Sequence, residues 1–227
     1  MTIVKAVDVA SYQPRDLSAI ISEHQPQHCI IHLYHDQESP PFAHSAAQVQ
    51  SALDNGCTVG GYCFLYPGTD MVRMVNSVAD RCASIGLVLP ILWLDVESFN
   101  GQDITPGDLA AAVSHSDALG IPTGIYTSRE MWRRIGSPTG FQGLPLWAAQ
   151  YDGQPTLESL LPVPNLPLAV AHQYRGDPLD LNVMLEEYTV LPTVDPCAAL
   201  RSGLLEITTR KPYKAPPKKT LVKLLEA

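Results

Sequence analysis

Two carboxylates, Asp95 and Glu97, are the residues of this 227-residue chain whose type and spacing most clearly suggest chemistry. They end the apolar run Pro90-Ile91-Leu92-Trp93-Leu94-Asp95-Val96-Glu97, which is typical of a short buried strand. Alternate residues of a strand point the same way, so we expect Trp93, Asp95 and Glu97 to share one face. The Cα atoms of Asp95 and Glu97 would then lie about 6.5 Å apart. Two carboxyl groups that close in a poorly solvated site cannot both ionise freely, so one pKa rises. A protonated carboxyl beside an ionised one is what acid-catalysed cleavage of a glycosidic bond requires.

Strand and helix patterns alternate along the first 135 residues, which predicts an α/β fold with a parallel sheet. The predicted strands cover residues 3–9, 29–34, 58–65, 90–97 and 123–127. The predicted helices cover residues 14–23, 43–55, 70–85, 106–119 and a short segment around Trp132. Three more strand-like segments follow without helices, at 146–151, 168–174 and 179–183. Five βα units followed by three strands are enough to close an irregular (β/α) barrel.

Acidic residues recur where these predicted strands meet loops, which is where βα-barrels place their active sites. Asp8 lies near the end of the first strand, Asp95 and Glu97 end the fourth, Asp152 follows the sixth, and Asp180 starts the last. Because like charges repel, several carboxylates at one rim destabilise a fold, and such a cluster more often marks a functional site. The sequence therefore predicts that these side chains converge.

Five stretches of the chain carry a recognisable order and spacing. They are Val7-Asp8-Val9-Ala10-Ser11-Tyr12-Gln13, then Trp93-Leu94-Asp95-Val96-Glu97, then Gly124-Ile125-Tyr126-Thr127 with Trp132, then Leu146-Trp147-Ala148-Ala149-Gln150-Tyr151-Asp152, and finally Gln173-Tyr174 followed by Asp180-Leu181-Asn182. Over about residues 3–190 the chain resembles glycoside hydrolase family 25, the lysozymes that cut the β-1,4 bond between N-acetylmuramic acid and N-acetylglucosamine. The resemblance implies an irregular barrel, bacterial peptidoglycan as substrate, and catalysis by carboxyl groups with no metal or other cofactor.

The resemblance also implies roles for individual residues. Glu97 is expected to be the general acid that protonates the leaving oxygen, and Asp95 to stabilise the oxocarbenium-like transition state or orient the substrate's 2-acetamido group as an internal nucleophile. Asp8 and Asp180 are expected to complete the acidic cluster. Five rings are expected to contact sugars, with core packing as the alternative for each: Tyr12, Tyr62, Tyr126, Trp147 and Tyr151.

Three segments depart from the family's usual pattern. His32-Leu33-Tyr34-His35-Asp36 replaces a Lys-x-Thr-Glu-Gly type segment, Tyr62-Cys63-Phe64 replaces Tyr-His-Phe, and His172 replaces the Trp before Gln-Tyr. We expect these changes to alter the saccharide groove. They favour an alternative function, a lysozyme-fold glycan-binding or structural module, for example in a phage particle, with weak or no catalysis. The intact acidic residues favour the enzyme.

Other chemistries fit the sequence less well. His28, His32 and His35 lack the spacing of a His-Glu-x-x-His zinc site, so no metal site is predicted. There is no Gly-x-Ser-x-Gly elbow and no phosphate-binding loop. A chitinase-like barrel is the nearest enzymatic alternative, but Ile91 and Trp93 occupy positions where those families usually carry acidic residues. The five cysteines are odd in number and form no Cys-x-x-Cys pair, which predicts free buried thiols.

Charge is distributed unevenly along the chain. Residues 1–200 carry 8 basic and 21 acidic side chains, whereas residues 201–227 carry 7 and 2. An acidic body argues against nucleic acid as a partner. The sequence contains no run of about 18 apolar residues, so no transmembrane segment is predicted. The first residues enter a strand without a basic segment and a long apolar stretch, which predicts no signal peptide. We therefore expect synthesis in a cytoplasm and action on the cell wall after release by lysis, or as a virion component.

Two regions are predicted from this pattern, a catalytic barrel over residues 1–191 and a basic tail over residues 192–227. Residues 211–219 are rich in proline and lysine and are typical of an extended linker. Residues 220–226 could form a short helix with an apolar face. The tail is either a frayed terminus or a segment that contacts a partner protein or an anionic surface.

Overall fold

The computed structural model of this chain describes residues 2–34 and 42–191. Its eight strands form one closed barrel in sequence order. The strands are β1 (Ile3–Val9), β2 (His28–Tyr34), β3 (Thr58–Phe64), β4 (Leu92–Asp95), β5 (Thr123–Ser128), β6 (Leu146–Ala149), β7 (Ala169–Arg175) and β8 (Asp180–Leu185). The helices are α1 (Ser18–His24), α2 (Phe42–Asp54), α3 (Met71–Ile85), α4 (Pro106–Ala118) and α5 (Arg129–Arg134). Strands β1 to β7 are parallel, and β8 runs antiparallel to both of its neighbours, β7 and β1.

The predicted fold class is confirmed, since five βα units precede three strands that have no helix between them. Most boundaries lie close to the predicted ones, and β1 matches its prediction at both ends. The first helix is an exception, because it begins at Ser18 and not near residue 14. The side-chain nitrogen of Gln48, on α2, donates to three carbonyl oxygens of the preceding loop, at Ala10, Gln13 and Pro14. These long-range hydrogen bonds hold the segment as a loop, which local sequence cannot reveal.

Strand β4 is shorter than predicted and ends at Asp95. Glu97 therefore lies two residues beyond the strand, and the alternation rule that placed it on the face of Asp95 does not apply to it. Trp93 and Asp95 do obey the rule, and the Trp93 side chain points into the barrel.

An apolar layer between the barrel and its helices forms the larger core. Helix α3 contributes the face that its sequence predicts, with Met71, Met74, Val75, Val78, Cys82 and Ile85 buried. The Asp70 carboxylate caps this helix by accepting from the backbone N–H groups of Val72 and Arg73. Gly86 ends it with a positive φ of 69°. Four of the cysteines are free and buried as predicted, and Cys197 lies outside the described residues.

A second apolar cluster fills the inside of the barrel and includes Ile30, Trp93, Trp147 and Met184. Glycine is required beside it at one position of β5. A Cβ atom on Gly124 would lie 2.4 Å from the Trp93 ring, which is closer than real Cβ contacts come. The indole of Trp93 thus occupies the space that a side chain at 124 would need, and this packing closes the barrel below its polar end.

Within residues 2–34 and 42–191, no helix is both long and apolar enough to cross a membrane. The predicted tail over residues 192–227 lies outside the described residues, as do His35 and Asp36.

Candidate active site

Four carboxylates meet at the end of the barrel where the parallel strands finish. Asp8 lies near the end of β1, Asp95 is the last residue of β4, and Glu97 follows it. Asp180 is the first residue of β8, but β8 runs the opposite way and pairs Asp180 directly with Asp8. The convergence expected from the sequence is therefore present for these four side chains.

Burial raises the pKa of every member of this cluster, and the charges of the other carboxylates add to it for Asp8, Asp95 and Asp180. Burial raises the pKa of Asp8 to about 6, in spite of two amide donors that lower it. Burial, with the charges of Asp8 and Glu97, raises the pKa of Asp180 to about 8. Burial also raises the pKa of Glu97. Among the described residues, no ion pair joins any of the four to a basic side chain. The raised pKa values favour the protonated form of a carboxyl, which is the form that general acid catalysis requires.

Asp95 is affected by the charges of all three other carboxylates. Burial, followed by the charges of Glu97, Asp8 and Asp180, raises its pKa well above the ordinary range. The residue is 6% exposed, and its Oδ1 atom has no hydrogen-bond partner among the described residues. A buried carboxyl oxygen without a partner is costly unless something else binds it.

Asp8 is held by two amides from the last strands of the barrel. The side-chain nitrogens of Gln173 on β7 and Asn182 on β8 both donate to its Oδ2 atom, at 2.8 and 2.7 Å. The amide oxygen of Gln173 accepts from the hydroxyls of Tyr126 and Tyr151, each at 2.8 Å. Gln173 and Asn182 belong to the fifth stretch that carries the resemblance, but no role was predicted for them from the sequence. Strand alternation was the available signal, since Asn182 shares a face of β8 with Asp180.

The five predicted sugar-contacting rings fall into two groups. Tyr12 and Tyr151 are open to solvent, at 80% and 63% exposure. Tyr62, Tyr126 and Trp147 are buried inside the barrel, and the Trp147 indole is only 2% exposed. The buried rings form the floor and wall beneath the carboxylates, so they present little open face to a sugar.

An aromatic cluster that the sequence analysis missed lies beside the carboxylates. Phe64, Tyr66 and Phe99 contact one another, with ring centroids 4.8 to 6.0 Å apart. Phe64 pairs in register with Asp95, and Phe99 follows Glu97 by two residues and is 39% exposed. Phe64 was recognisable by alternation from Tyr62, whereas the position of Phe99 depends on a hairpin closed by its backbone bonds to Gln102.

Asp152 does not belong to the acidic cluster, contrary to the expectation from its place after the sixth strand. Its carboxylate accepts from the side-chain nitrogen of Gln150 at 2.7 Å and from the backbone N–H of Gln154 at 2.9 Å, and lies 3.6 Å from the His172 ring. These contacts organise the loop after β6, so the prediction for Asp152 is wrong.

Comparison of the sequence with models of protein families shows the family of this chain. The sequence model of the family described as lysozyme-like protein 1 matches residues 1–160, which is more than half of the chain. This chain belongs to the lysozyme-like protein 1 family.

Two curated proteins named as probable lysozymes are also similar to this chain. The chain is 30% identical over 118 residues to probable GH family 25 lysozyme 3 of Dictyostelium discoideum, and 32% identical over 121 residues to probable GH family 25 lysozyme 2 of the same organism. These matches cover 48% and 51% of this chain, but 24% and 55% of the relatives. The similarity thus spans between about a quarter and about half of the length of these curated relatives.

Solved structures share the fold. The autolysin LytC of Streptococcus pneumoniae, in complex with a synthetic peptidoglycan ligand, superposes with a TM-score of 0.63 at 14% identity, covering 81% of this chain and 47% of that one. The catalytic domain of endolysin ply40, from a bacteriophage of Listeria monocytogenes, gives 0.57 at 18% identity, covering 83% and 96%. At these identities the likeness establishes the barrel alone.

The positions that depart from the family pattern are not all in the barrel interior. Cys63 is fully buried in the layer between the barrel and the helices. His172 is also fully buried, and its ring nitrogens lie 2.6 and 2.8 Å from the carbonyl oxygens of Thr156 and Gln150 in the loop after β6. Neither side chain lines the barrel interior, because each lies on the outward face of its strand. His32 does point inward, where it stacks on Tyr62 with ring centroids 4.5 Å apart.

Proposed function

We propose that this chain is a glycoside hydrolase that cleaves the β-1,4 bond between N-acetylmuramic acid and N-acetylglucosamine in bacterial peptidoglycan. The observation that carries the proposal is the cluster of Asp8, Asp95, Glu97 and Asp180, whose pKa values are all raised at the open end of the barrel. Two buried and two partly buried carboxyls without a basic partner among the described residues weaken a fold, so their presence is best explained by use. The family and the curated relatives named as lysozymes support this use.

The proposed mechanism gives the four carboxyls distinct tasks. Glu97, which is partly exposed, delivers its proton to the leaving glycosidic oxygen as the C–O bond breaks. Asp95 lies beside Glu97, either to hold the N–H of the 2-acetamido group or to face the positive charge that develops at the anomeric carbon. A water molecule then supplies the hydroxyl of the new reducing end and returns a proton to Glu97. Asp8 and Asp180 set the charge around these two groups.

The exposed rings are proposed as sugar contacts. Tyr12 and Tyr151 offer open faces, and Phe99 offers part of one beside Glu97. Tyr62, Tyr126 and Trp147 act from beneath, by shaping the floor and positioning the polar groups. Flat rings bind the apolar faces of pyranoses, so the open rings are where a chain of sugars would lie.

A glycan-binding or structural module is the second candidate, and one observation favours it. His32, which departs from the family pattern, lies inside the barrel against Tyr62. The other two departures that the structure describes, Cys63 and His172, face away from the interior and so do not weaken the enzymatic proposal.

We propose that the protein meets its substrate at the bacterial cell wall, after release by lysis or as part of a virion. The barrel that it shares with an endolysin catalytic domain supports this placement. Residues 192–227 carry 7 basic and 3 acidic side chains, and we propose that they contact an anionic surface or a partner protein.

The bond that is cut can be identified directly. Purified peptidoglycan is incubated with the full chain, the new ends are reduced with borohydride, and the fragments are analysed by mass spectrometry. The proposal predicts fragments that end in reduced N-acetylmuramic acid, and none in the incubation without protein. Ends in reduced N-acetylglucosamine would show that the other bond is cut. Binding to peptidoglycan with no new ends would establish the module instead.

A further inference from the structure

We propose that Gln173 is a positioning residue that takes up the hydroxyl hydrogen of Tyr126, so that the Tyr126 oxygen is left to accept the proton of Glu97. This inference rests on the proposed function, because it assigns Glu97 the part of an acid. It concerns the direction of the hydrogen bonds that join Asp8 to Glu97 through the barrel interior.

The direction of this network is fixed at one end by Trp147. An indole N–H can only donate, and Trp147 Nε1 lies 2.8 Å from Asn182 Oδ1. The amide oxygen of Asn182 must therefore face the indole, which turns its nitrogen toward Asp8 Oδ2 at 2.7 Å. Asp8 Oδ2 is thus an acceptor.

The same oxygen of Asp8 fixes the orientation of Gln173. This side chain is 2% exposed, and one end of its amide lies 2.8 Å from Asp8 Oδ2. Because that oxygen already accepts from Asn182, the end of Gln173 that faces it is the nitrogen. The amide oxygen of Gln173 consequently points the other way, toward two tyrosines.

Both lone pairs of the Gln173 oxygen are then filled. The hydroxyls of Tyr126 and Tyr151 each lie 2.8 Å from it, and an amide oxygen can only accept. A tyrosine has one hydroxyl hydrogen, so the hydrogen of Tyr126 is committed to Gln173. It is not available to Glu97 Oε1, which lies 3.5 Å from the Tyr126 oxygen.

Only the protonated form of Glu97 can donate a hydrogen bond to the Tyr126 oxygen. A carboxylate would face the lone pair of Tyr126, whereas a carboxylic acid can donate to it. The network therefore favours the protonated side chain. Donation from the Tyr126 hydroxyl to the carboxylate would instead lower the pKa of Glu97, whereas burial raises that pKa in either case. Each donor in the chain points toward Asp8, whose negative charge polarises the whole series.

Several other titratable groups surround Glu97, so any test must separate their effects. They are Tyr126 on β5, Tyr151 after β6, Asp95 on β4, Asp8 on β1 and Asp180 on β8. Removing Gln173 also removes a donor from Asp8, and the resulting change of charge would reach Glu97 through space. A double variant is needed to distinguish that route from the route through Tyr126.

The test is a carbon-13 NMR titration of Glu97 in the full chain with labelled glutamate carboxyls, with the signal assigned by its loss in Glu97→Gln. Tyr126→Phe keeps the ring and removes the acceptor, so the pKa of Glu97 should fall by about half a unit to one unit. If Tyr126 instead donates to the carboxylate, the same variant raises that pKa, and the proposal is overturned.

Gln173→Met provides the second arm. It frees the Tyr126 hydrogen to donate to Glu97, so the pKa of Glu97 should fall by about one unit, which is tenfold in the proton equilibrium. In the Tyr126→Phe background the same change should have no further effect, whereas an effect through the charge of Asp8 would persist and overturn the proposal. Tyr151→Phe is the matched control, because it removes the other hydroxyl from Gln173 and should leave the titration of Glu97 in place.

The titration is independent of turnover. If the wild type cuts peptidoglycan, the basic limb of its kcat/KM profile should move with the NMR value in each variant. If the wild type shows no turnover, the proposed function fails, but the sign of the Tyr126→Phe shift still decides whether Gln173 directs the hydrogen of Tyr126.

Discussion

Asp95 shows how a single residue can weaken a fold in order to serve a site. It is buried, it has no basic partner among the described residues, and one of its oxygens has no hydrogen bond there. Its pKa is raised well above the ordinary value by burial and by Glu97, Asp8 and Asp180. A raised carboxyl pKa in the folded state means that ionising the group at neutral pH costs stability.

Replacing Asp95 by asparagine should therefore stabilise the protein above pH 7. The folded state holds the Asp95 proton more tightly than the unfolded state, so the wild type loses stability as the pH rises through about 4 and above. Because burial and the neighbouring charges raise the pKa of Asp95 well above its ordinary value, Asp95→Asn should raise the melting temperature at pH 8 by a few degrees. The difference should shrink toward zero at about pH 3 and below, where aspartate is largely protonated in both states.

Thermal unfolding followed by circular dichroism at about pH 3 and pH 8 measures this effect. Asp117→Asn, at an exposed position of α4, is the matched control and should change the melting temperature little at either pH. A gain for Asp95→Asn that is equal at both pH values would contradict the explanation by ionisation.

Strand β5 illustrates how an element is tied to the packing around it. Gly124 lies against the Trp93 ring inside the barrel, and a Cβ atom there would meet the ring at 2.4 Å. Gly124→Ala should therefore destabilise the protein by about 1–3 kcal/mol, the usual cost of overpacking a core. Urea unfolding measures the change. Gly143→Ala, where a Cβ atom meets nothing within 4 Å, is the matched control. Equal losses in the two variants would show that the tryptophan contact is not the cause.

Sequence periodicity predicted the elements well where the signals were local. The buried face and the Asp70 cap of α3 could be read from spacing alone, and so could the capping role of Thr105 at the start of α4. The start of α1 could not, because the side chain of Gln48 on another helix holds the preceding loop. Glu97 was assigned to a strand that ends before it, since the sequence does not show where pairing with the neighbouring strands stops.

The candidate site was predictable only in part, because some of its contacts join residues that are distant in the sequence. The positions of Asp8, Asp95 and Asp180 where strands meet loops predicted their convergence. The same rule could not show that the Asp152 carboxylate instead accepts hydrogen bonds from Gln150 and Gln154 in its own loop. The roles of Gln173 and Asn182 depend on contacts with Asp8 across more than 160 residues of sequence. Such contacts exist only once the barrel has closed.

At the scale of the whole molecule, closure of the barrel by β8 against β1 sets the extent of the folded unit. The pairing runs from Ile3 with Leu185 to Asp8 with Asp180, so the described residues contain every strand of the closed sheet. A chain of residues 1–191 should thus keep its melting temperature within about 2 °C and keep its rate on soluble glycan fragments. A large loss of stability in calorimetry would show that residues 192–227 are part of the folded unit.

The tail can be tested with the same truncated chain on intact cell walls. If residues 192–227 contact an anionic surface, the truncated chain should bind walls more weakly at low salt, and the difference should shrink as salt rises. Full-length protein in high salt is the matched control. Equal binding by both chains at low salt would contradict the proposed contact.

The central claim is that Glu97 is the acid of a peptidoglycan hydrolase, and the release of new reducing ends from purified peptidoglycan tests it most directly. Wild type, Glu97→Gln and Glu130→Gln are compared, the last at an exposed position of α5. Glutamine keeps the shape of glutamate but carries no acidic proton, so Glu97→Gln should lower the rate on the order of 100-fold or more, with Glu130→Gln unchanged. Equal rates for Glu97→Gln and the wild type would place the acid elsewhere and contradict the claim.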